Sequence, residues 1–423
     1  MDNDWNQVRF NLDKSANFQA VYNSPWYADA VYDKFSDAEF KRRHDLAREK
    51  MVREGLDALI LTGSSNVWSY GGGVTWSTGL QEDRAMCQYV ILPLKGEPTL
   101  IYPHPGAHIE AARKMVSVSD VRGSQHGHFG YVMSDRLKEL GLEGGRIGIT
   151  AADRTGPEYM GLMCYRELEE RLPNAEFVFL PTLLHEMTRI KSDEEIEAMA
   201  KAGELVVQSL EAIINAARPG VFEYQLEAAA YHAIMNCGGR IHFMIIGSTS
   251  MYDPKMIFPN PHPSQRVLQP GDIILTEMVA SYKGYTAKIG QPITIGPPTE
   301  EANRFFKDVV LAGFKKIYAA MMPGNTFEDI RKAGGHFREA GAQSRPIVTH
   351  GLDLITAPPF ISVDEVKAVP FGTDIVPGMT LVIEITPVNS DGTFGMFMSR
   401  SYAITEDGKR DLTPFPTDEI VVV

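Results

Sequence analysis

The sequence contains few cysteines and no long apolar run. Three of its 423 residues are cysteines, and none of them forms a CxxC pair. This excludes a disulfide framework and a paired-cysteine metal site. No apolar stretch approaches the roughly 18 residues that a membrane-spanning helix needs, and no signal peptide is visible at the start. We therefore expect a cytoplasmic protein with reduced thiols and no membrane partner.

The sequence also lacks an excess of basic residues. Lysine and arginine number 41 against 54 acidic residues, which gives a formal net charge of −13. This balance argues against a nucleic-acid partner. An apolar content of 44% is that of a soluble globular protein, and the length predicts two or three domains.

Alternating helix and strand patterns predict an α/β fold in two halves. Ser36 with Glu39 forms a capping-box signature that opens a helix over 36–54. Ser192 with Glu195 repeats this signature before a long amphipathic helix that reaches about Ala217. We therefore divide the chain into an N-terminal extension (1–35), a first α/β domain (36–188) and a second domain (189–423).

The stretch 271–296 predicts a β-hairpin that carries two charges. Ile273-Ile274-Leu275 leads into Glu277, Gly284 supplies the turn, and Lys288 lies on the return strand. A hairpin of this length can bring Glu277 and Lys288 together across the ladder. A buried carboxylate and a buried ammonium are costly unless paired, which favours a functional pair. The alternative is an exposed edge hairpin with two unrelated charges.

Polar residues in apolar strands provide further candidates for a catalytic site. The four residues that could form one constellation are Glu277, Lys288, His350 and Glu384. Two carboxylates, a histidine and a lysine can perform acid–base or nucleophilic catalysis. The GxSxG and HExxH signatures are absent, so the sequence carries no local signature of a serine hydrolase or of that type of zinc peptidase.

Several motifs of the second half resemble the creatinase/prolidase/methionine-aminopeptidase family. The segments that carry this resemblance are Arg189-Ile-Lys-Ser-Asp-Glu-Glu195, Gly271-Asp-Ile-Ile, Gly284-Tyr285, Thr349-His350-Gly351, Val376-Pro-Gly-Met379 with Glu384, and Ile404-Thr-Glu-Asp-Gly408. The first half is similar to the N-terminal domain of the creatinase and prolidase branch. The resemblance implies an α/β "pita-bread" catalytic domain and a homodimer.

The resemblance also implies where a metal site would lie. The peptidases of the family hold two divalent ions through Asp, Asp, His, Glu and Glu, and these positions fall here on Glu277, Lys288, His350, Glu384 and Ser399. An ammonium cannot replace a bridging carboxylate, and a serine is a poor ligand for such ions. We therefore expect no metal and no other cofactor. Creatinase and ectoine hydrolase are metal-free members of the same family.

The resemblance to that metal-free branch implies a hydrolase of a non-peptide C–N bond in a small carboxylated metabolite. Arg84 would anchor the carboxylate, in its own or the partner subunit's site. His262 follows Asn260, on which the loop histidine of the family falls, and would shuttle protons with His350.

We expect Tyr252, Asn260 and Tyr285 to contact substrate. Three alternatives stay open: a non-catalytic binding protein on the same scaffold, a lyase, and a metallopeptidase with an altered site.

Overall fold

A computed structural model describes residues 29–63, 72–81, 87–104, 107–125, 127–150, 159–354, 356–367 and 372–423. The chain divides into two compact units between Met187 and Thr188. The helices are α1 (Asp37–Glu54), α2 (Gly72–Thr78), α3 (Ala107–Met115), α4 (Phe129–Glu139), α5 (Leu162–Arg171), α6 (Leu183–Thr188), α7 (Asp193–Ala216), α8 (Glu223–Asn236), α9 (Glu300–Phe305), α10 (Ala312–Ala320), α11 (Phe327–Gly334) and α12 (His336–Glu339).

The strands of the first unit form one six-stranded sheet in the order β4-β3-β2-β1-β5-β6. They are β1 (Ala58–Gly63), β2 (Gln88–Pro93), β3 (Thr99–Tyr102), β4 (Asp120–Gly123), β5 (Arg146–Ile149) and β6 (Glu176–Phe179). The central strands β1 and β2 are buried along their whole length, as expected for strands with covered faces. The α/β alternation predicted for this half is confirmed.

Capping chemistry fixes the start of the long helices, as the sequence predicts. The Ser36 hydroxyl accepts a hydrogen bond from the Glu39 amide at the start of α1. At α7 the capping box is complete, because Ser192 accepts from Glu195 and the Glu195 carboxylate accepts from the Ser192 amide at 2.7 Å. Both helices begin at the predicted residues.

The second unit contains two five-stranded sheets and a two-stranded sheet. In one sheet the order is β18-β10-β8-β7, with β9 paired to β8, and in the other it is β13-β12-β14-β16-β17. The strands are β7 (Arg240–Ser250), β8 (Asp272–Tyr282), β9 (Tyr285–Ile289), β10 (Ile293–Thr294), β11 (Gln343–Ser344), β12 (Ile347–Leu352), β13 (Thr356–Ser362), β14 (Thr380–Ile385), β15 (Pro387–Val388), β16 (Met398–Ile404), β17 (Lys409–Asp411) and β18 (Val421–Val422).

Two hydrophobic cores cover the outer faces of these sheets. One core joins residues of α7 and α8 to β7, β8 and β9. The other core joins the helices α9, α10 and α11 to the strands β12, β14 and β16. A π-helical segment, Phe306–Leu311, lies between α9 and α10.

The β8–β9 hairpin is closed by a two-residue turn. Strand β8 continues to Tyr282, which pairs with Tyr285, so the loop consists of Lys283 and Gly284 alone. Both loop residues have positive φ, 51° and 83°, as a type I′ turn requires. The pairing of Val279 with Lys288 fixes the register.

None of the helices in the described ranges is long and apolar enough to cross a membrane.

Candidate active site

Lys288 lies at the centre of a buried polar cluster. Its Nζ atom is 2.8 Å from Glu277 Oε1, 2.5 Å from Glu384 Oε2 and 3.3 Å from His350 Nε2. The lysine itself is only 4% exposed. The predicted constellation of four residues is therefore assembled, and the exposed-edge interpretation of the hairpin is wrong.

Strand register explains why these side chains meet. Val279 pairs with Lys288, so Glu277, two residues before Val279, shares a face with the lysine. In the second sheet His350 pairs with Val382, which places His350 and Glu384 on one face.

Ser401 joins the two sheets at this point, because its hydroxyl accepts from the Lys288 amide at 2.9 Å and donates to the Lys288 carbonyl oxygen at 3.1 Å. The position of Lys288 is thereby fixed by both sheets.

The two carboxyl groups have opposite pKa shifts. Burial raises the pKa of Glu277, and the charge of Glu384 adds to this, while Lys288 acts in the opposite direction. Burial alone would raise the pKa of Glu384 too, but the Lys288 charge and the His350 hydrogen bond hold it well below its ordinary value. Paired acids with diverging pKa values commonly divide acid–base work between them.

The Lys288 ammonium stays charged despite its burial. Desolvation lowers its pKa, but the attraction of Glu277 and Glu384 outweighs desolvation, and the net shift is upward. Two carboxylates and one ammonium leave the cluster with a net negative charge when all three are ionised. The cluster is thus suited to a neutral or cationic polar group of a ligand.

His350 is oriented by a backbone contact. Its Nδ1 atom lies 2.7 Å from the Gly351 carbonyl oxygen, which can only accept, so Nδ1 carries a hydrogen. The Nε2 atom then faces both Lys288 and Glu384, the latter at 3.1 Å. In the neutral ring Nε2 accepts a hydrogen bond from Lys288 Nζ at 3.3 Å.

Ser399 supplies a buried hydroxyl beside the cluster. It pairs with Glu384 across the β14–β16 ladder, and its amide and carbonyl groups bond to Gly290. Its Oγ atom is buried and has no hydrogen-bond partner among the residues that the structure describes. A buried hydroxyl without a partner is costly, so this atom is available to a bound water or substrate.

These side chains do not fit the two-ion site of the family's peptidases. The Lys288 ammonium occupies the space between the two carboxylates and uses the oxygens that would face a cation. Ser399 offers only a neutral hydroxyl in place of a glutamate. Within the described ranges, no three or more His, Cys, Asp or Glu side chains are grouped to hold a metal ion.

Of the two loop residues predicted to contact substrate, Asn260 lies on the face of the cluster and Tyr252 is largely exposed. Asn260 packs against the bare backbone at Gly247, where a Cβ atom would lie 2.8 Å from its Nδ2. Gly247 pairs with Leu275, two residues before Glu277, so Asn260 lies on the same face of the sheet as the cluster. Tyr252 is 77% exposed, and its ring packs over Gly271.

His262 and Tyr285 are not brought to the cluster. His262 is exposed and interacts with Glu227 of α8, whose pKa is raised by burial and lowered by the histidine. The proton shuttle predicted between His262 and His350 therefore has no contact within the described residues. Tyr285 faces the opposite side of the hairpin, where its buried hydroxyl donates to Glu195. Arg84 lies outside the described residues.

A buried glutamate anchors the loop that carries Asn260. Glu223 is fully buried, and its carboxylate accepts from the amides of Ser248 and Ser264 at 2.7 and 2.8 Å and from both hydroxyls. Asp272 binds Arg266 of the same loop with both oxygens. The loop is thereby held against β7 and β8.

Comparison with known proteins agrees with this architecture. Residues 43–190 match the model of the Creatinase/Prolidase N-terminal domain, and residues 197–406 match that of Metallopeptidase family M24. The second unit is thus an M24 domain with the pita-bread fold that the sequence predicts, and it follows a Creatinase/Prolidase N-terminal domain.

The names of individual relatives specify different activities. Ectoine hydrolase of Halomonas elongata is 24% identical over 404 residues, covering 90% of this chain and 97% of that protein. Xaa-Pro aminopeptidase of Escherichia coli is 26% identical over 263 residues, covering 55% of this chain and 57% of that protein. The prolidase structure from Pyrococcus horikoshii superposes with a TM-score of 0.73 at 21% identity, covering 90% of this chain and all of that chain.

Proposed function

We propose that this protein hydrolyses a non-peptide C–N bond in a small carboxylated metabolite without using a metal ion. The bond would be of the cyclic amidine, guanidino acid or lactam type. The observation that carries this proposal is the position of the Lys288 ammonium, within hydrogen-bond distance of both Glu277 and Glu384. The charge that a metal would supply is provided here by a side chain.

The similarity to ectoine hydrolase supports this proposal. That similarity extends over 90% of the chain, and the name of the relative specifies hydrolysis of a small molecule. The similarity to Xaa-Pro aminopeptidase covers 55% of the chain. A peptidase with this donor set would have to work without carboxylates at two of its five ligand positions, which makes peptide hydrolysis the weaker candidate.

Glu277 is the principal base in this mechanism. Its raised pKa makes the ionised carboxylate a stronger base than an ordinary glutamate. Glu277 takes a proton from a water as the water oxygen bonds to the amidine or amide carbon. It then returns this proton to the leaving nitrogen as the C–N bond breaks, so Glu277 ends the cycle in its starting state.

The neighbouring residues stabilise charge and position the water. Glu384 stays ionised and stabilises a cationic amidine group, while His350 Nε2, 3.1 Å from Glu384 Oε2, helps to position this carboxylate. Lys288 holds both carboxylates in place and stabilises negative charge that develops on the substrate. The Ser399 hydroxyl is available to bind the attacking water.

Turnover assays with cyclic amidines, guanidino acids and lactams test the proposal. Replacement of Glu277 by Gln should lower kcat by roughly 100-fold or more, as expected when a general base is lost, and Lys288→Ala should have a similar effect. Glu110→Gln and Lys41→Ala change exposed side chains of the first unit and serve as controls. Unchanged turnover in both site variants would contradict the mechanism. Binding of these compounds without turnover would instead support the non-catalytic alternative.

A further inference from the structure

A cavity of about 480 Å³ opens above the catalytic cluster. Glu384 is the member of the cluster that lines it, and Phe360 forms part of its wall. The ring of Phe360 lies 6.4 Å from that of His350. A volume of this size suits a small metabolite, and its position defines one path from solvent to Glu384.

Arg345 lines the same cavity in a fixed position. Its amide donates to the Thr386 carbonyl oxygen at 3.1 Å, and its guanidinium carbon lies 3.7 Å from the centroid of the Phe258 ring. Phe258 in turn packs edge-on against Phe397, with centroids 5.5 Å apart. Stacking on an aromatic face orients the guanidinium while leaving its N–H groups free to donate.

Arg345 forms no ion pair with any residue that the structure describes. Lys367, a second exposed cation of the wall, likewise has no acidic partner in the described ranges. The wall also holds three acidic residues, of which Asp364 already binds Arg338 at 2.6 Å. Glu384, the third acidic residue of the wall, is already paired with Lys288. Glu365 is therefore the one described acidic residue of the wall without an ion pair, facing two cations.

We propose that Arg345, assisted by Lys367, binds the carboxylate of the substrate at the mouth of this cavity. The substrate would then carry its acid group at one end and its C–N group at the other, where it reaches Glu384. This inference rests on the proposed function and narrows it to elongated substrates. In this inference the substrate carboxylate binds residues close to His350 in sequence. The anchor that the sequence predicts at Arg84 would be a second contact.

Binding measurements separate this inference from catalysis. Straight-chain ω-guanidino acids of two to six carbons, each compared with its primary amide, serve as probes in isothermal calorimetry. The wild-type protein should bind at least one acid roughly 10-fold or more tightly than its amide, because a charge-assisted contact is lost in the amide. The chain length with the largest difference reports the distance between the two ends of the site.

Arg345→Gln should abolish this preference while leaving the affinity for the amide unchanged. Lys367→Gln should reduce the preference, and Arg345→Lys should retain part of it, since charge remains without the bidentate geometry. Lys315→Gln, which removes an exposed cation outside the cavity, is the charge-matched control. Thermal unfolding of each variant shows whether it is folded.

Two results would overturn the inference: failure of every acid to bind the wild-type protein, or an undiminished preference for acids in Arg345→Gln. Retained binding preference together with no hydrolysis of any compound class would instead contradict the proposed function alone.

Discussion

The Nζ atom of Lys288 lies 2.5 Å from Oε2 of Glu384, although the two residues are on strands of different sheets. This contact links β9 of one sheet to β14 of the other by a buried ion pair. Removing one partner of such a buried pair leaves the other charge without compensation. Both the geometry of the site and the stability of the second unit therefore depend on Lys288.

Replacing Lys288 by Met should destabilise the protein substantially. The variant keeps the side-chain length but leaves Glu277 and Glu384 facing each other without a cation, which is expected to cost about 3–5 kcal/mol. Chemical denaturation monitored by circular dichroism measures this loss. Lys41→Met, in an exposed pair on α1, should cost less than about 1 kcal/mol. Equal effects in the two variants would contradict the role of Lys288.

The stabilising effect of Glu384 should depend on pH. Its folded-state pKa is lowered relative to the ordinary 4.5, so its contribution is present above that value and is lost as pH falls below it. The difference in unfolding free energy between wild type and Glu384→Gln should therefore be largest near neutral pH and shrink in acid. A difference that grows on acidification would contradict this sign.

The pH dependence of kcat/KM should reflect the ionisation of Glu277. A base with a raised pKa loses its proton only above the ordinary 4.5, so kcat/KM should rise with pH through an apparent pKa above that value. Stopped-time assays across pH 4–9 (about half-unit steps are sufficient to resolve a single ionisation) provide the measurement. An acid limb at or below the ordinary value would exclude Glu277 as the base.

Chelation should leave activity unchanged. Prolonged dialysis against EDTA, followed by elemental analysis and turnover assays, is the direct experiment. A matched gain-of-binding variant is Lys288→Asp combined with Ser399→Glu, which supplies carboxylates at both missing ligand positions. This variant should bind Mn²⁺ in calorimetry while the wild type does not. Activity that disappears on chelation and returns with a divalent ion would contradict metal independence.

Tyr285→Phe should affect stability more than catalysis. The Tyr285 hydroxyl donates to Glu195, which also caps α7, so its loss is expected to cost about 1–2 kcal/mol. The values of kcat and KM should stay close to those of the wild type. Tyr224→Phe, at an exposed position of α8, is the control. A raised KM in Tyr285→Phe would restore the predicted contact with substrate.

The sequence predicts that Glu277 and Lys288 meet because the pairing of two hairpin strands follows from the turn and the alternation of side chains. Glu277 and Lys288 flank a two-residue turn, so period-2 alternation is enough to place them together. Residues such as Phe258 and Arg345 could not be predicted in this way, because their contact depends on where a long loop folds over the sheet. The one available signal is that Arg345 precedes the strand of His350 by only a few residues.

Polar side chains in loops show the same limitation. His262 and Asn260 are two residues apart, yet only Asn260 packs on the face that carries Glu277. Loop backbone has no fixed period, so neighbouring residues can face unrelated surroundings. The anchoring by Glu223 involves Ser248 of β7 and Ser264 of the following loop, both distant from it in sequence, and a single sequence carries no pattern that predicts it.

The positive charge of the site comes from a side chain, Lys288, and this differs from a charge brought by a bound ion. A bound ion occupies a site in proportion to its concentration and affinity, so its presence varies with the surroundings. The Lys288 side chain is covalently part of the chain, and its raised pKa favours the protonated form. Every folded copy of the chain therefore carries this positive charge between Glu277 and Glu384 as part of its own covalent structure.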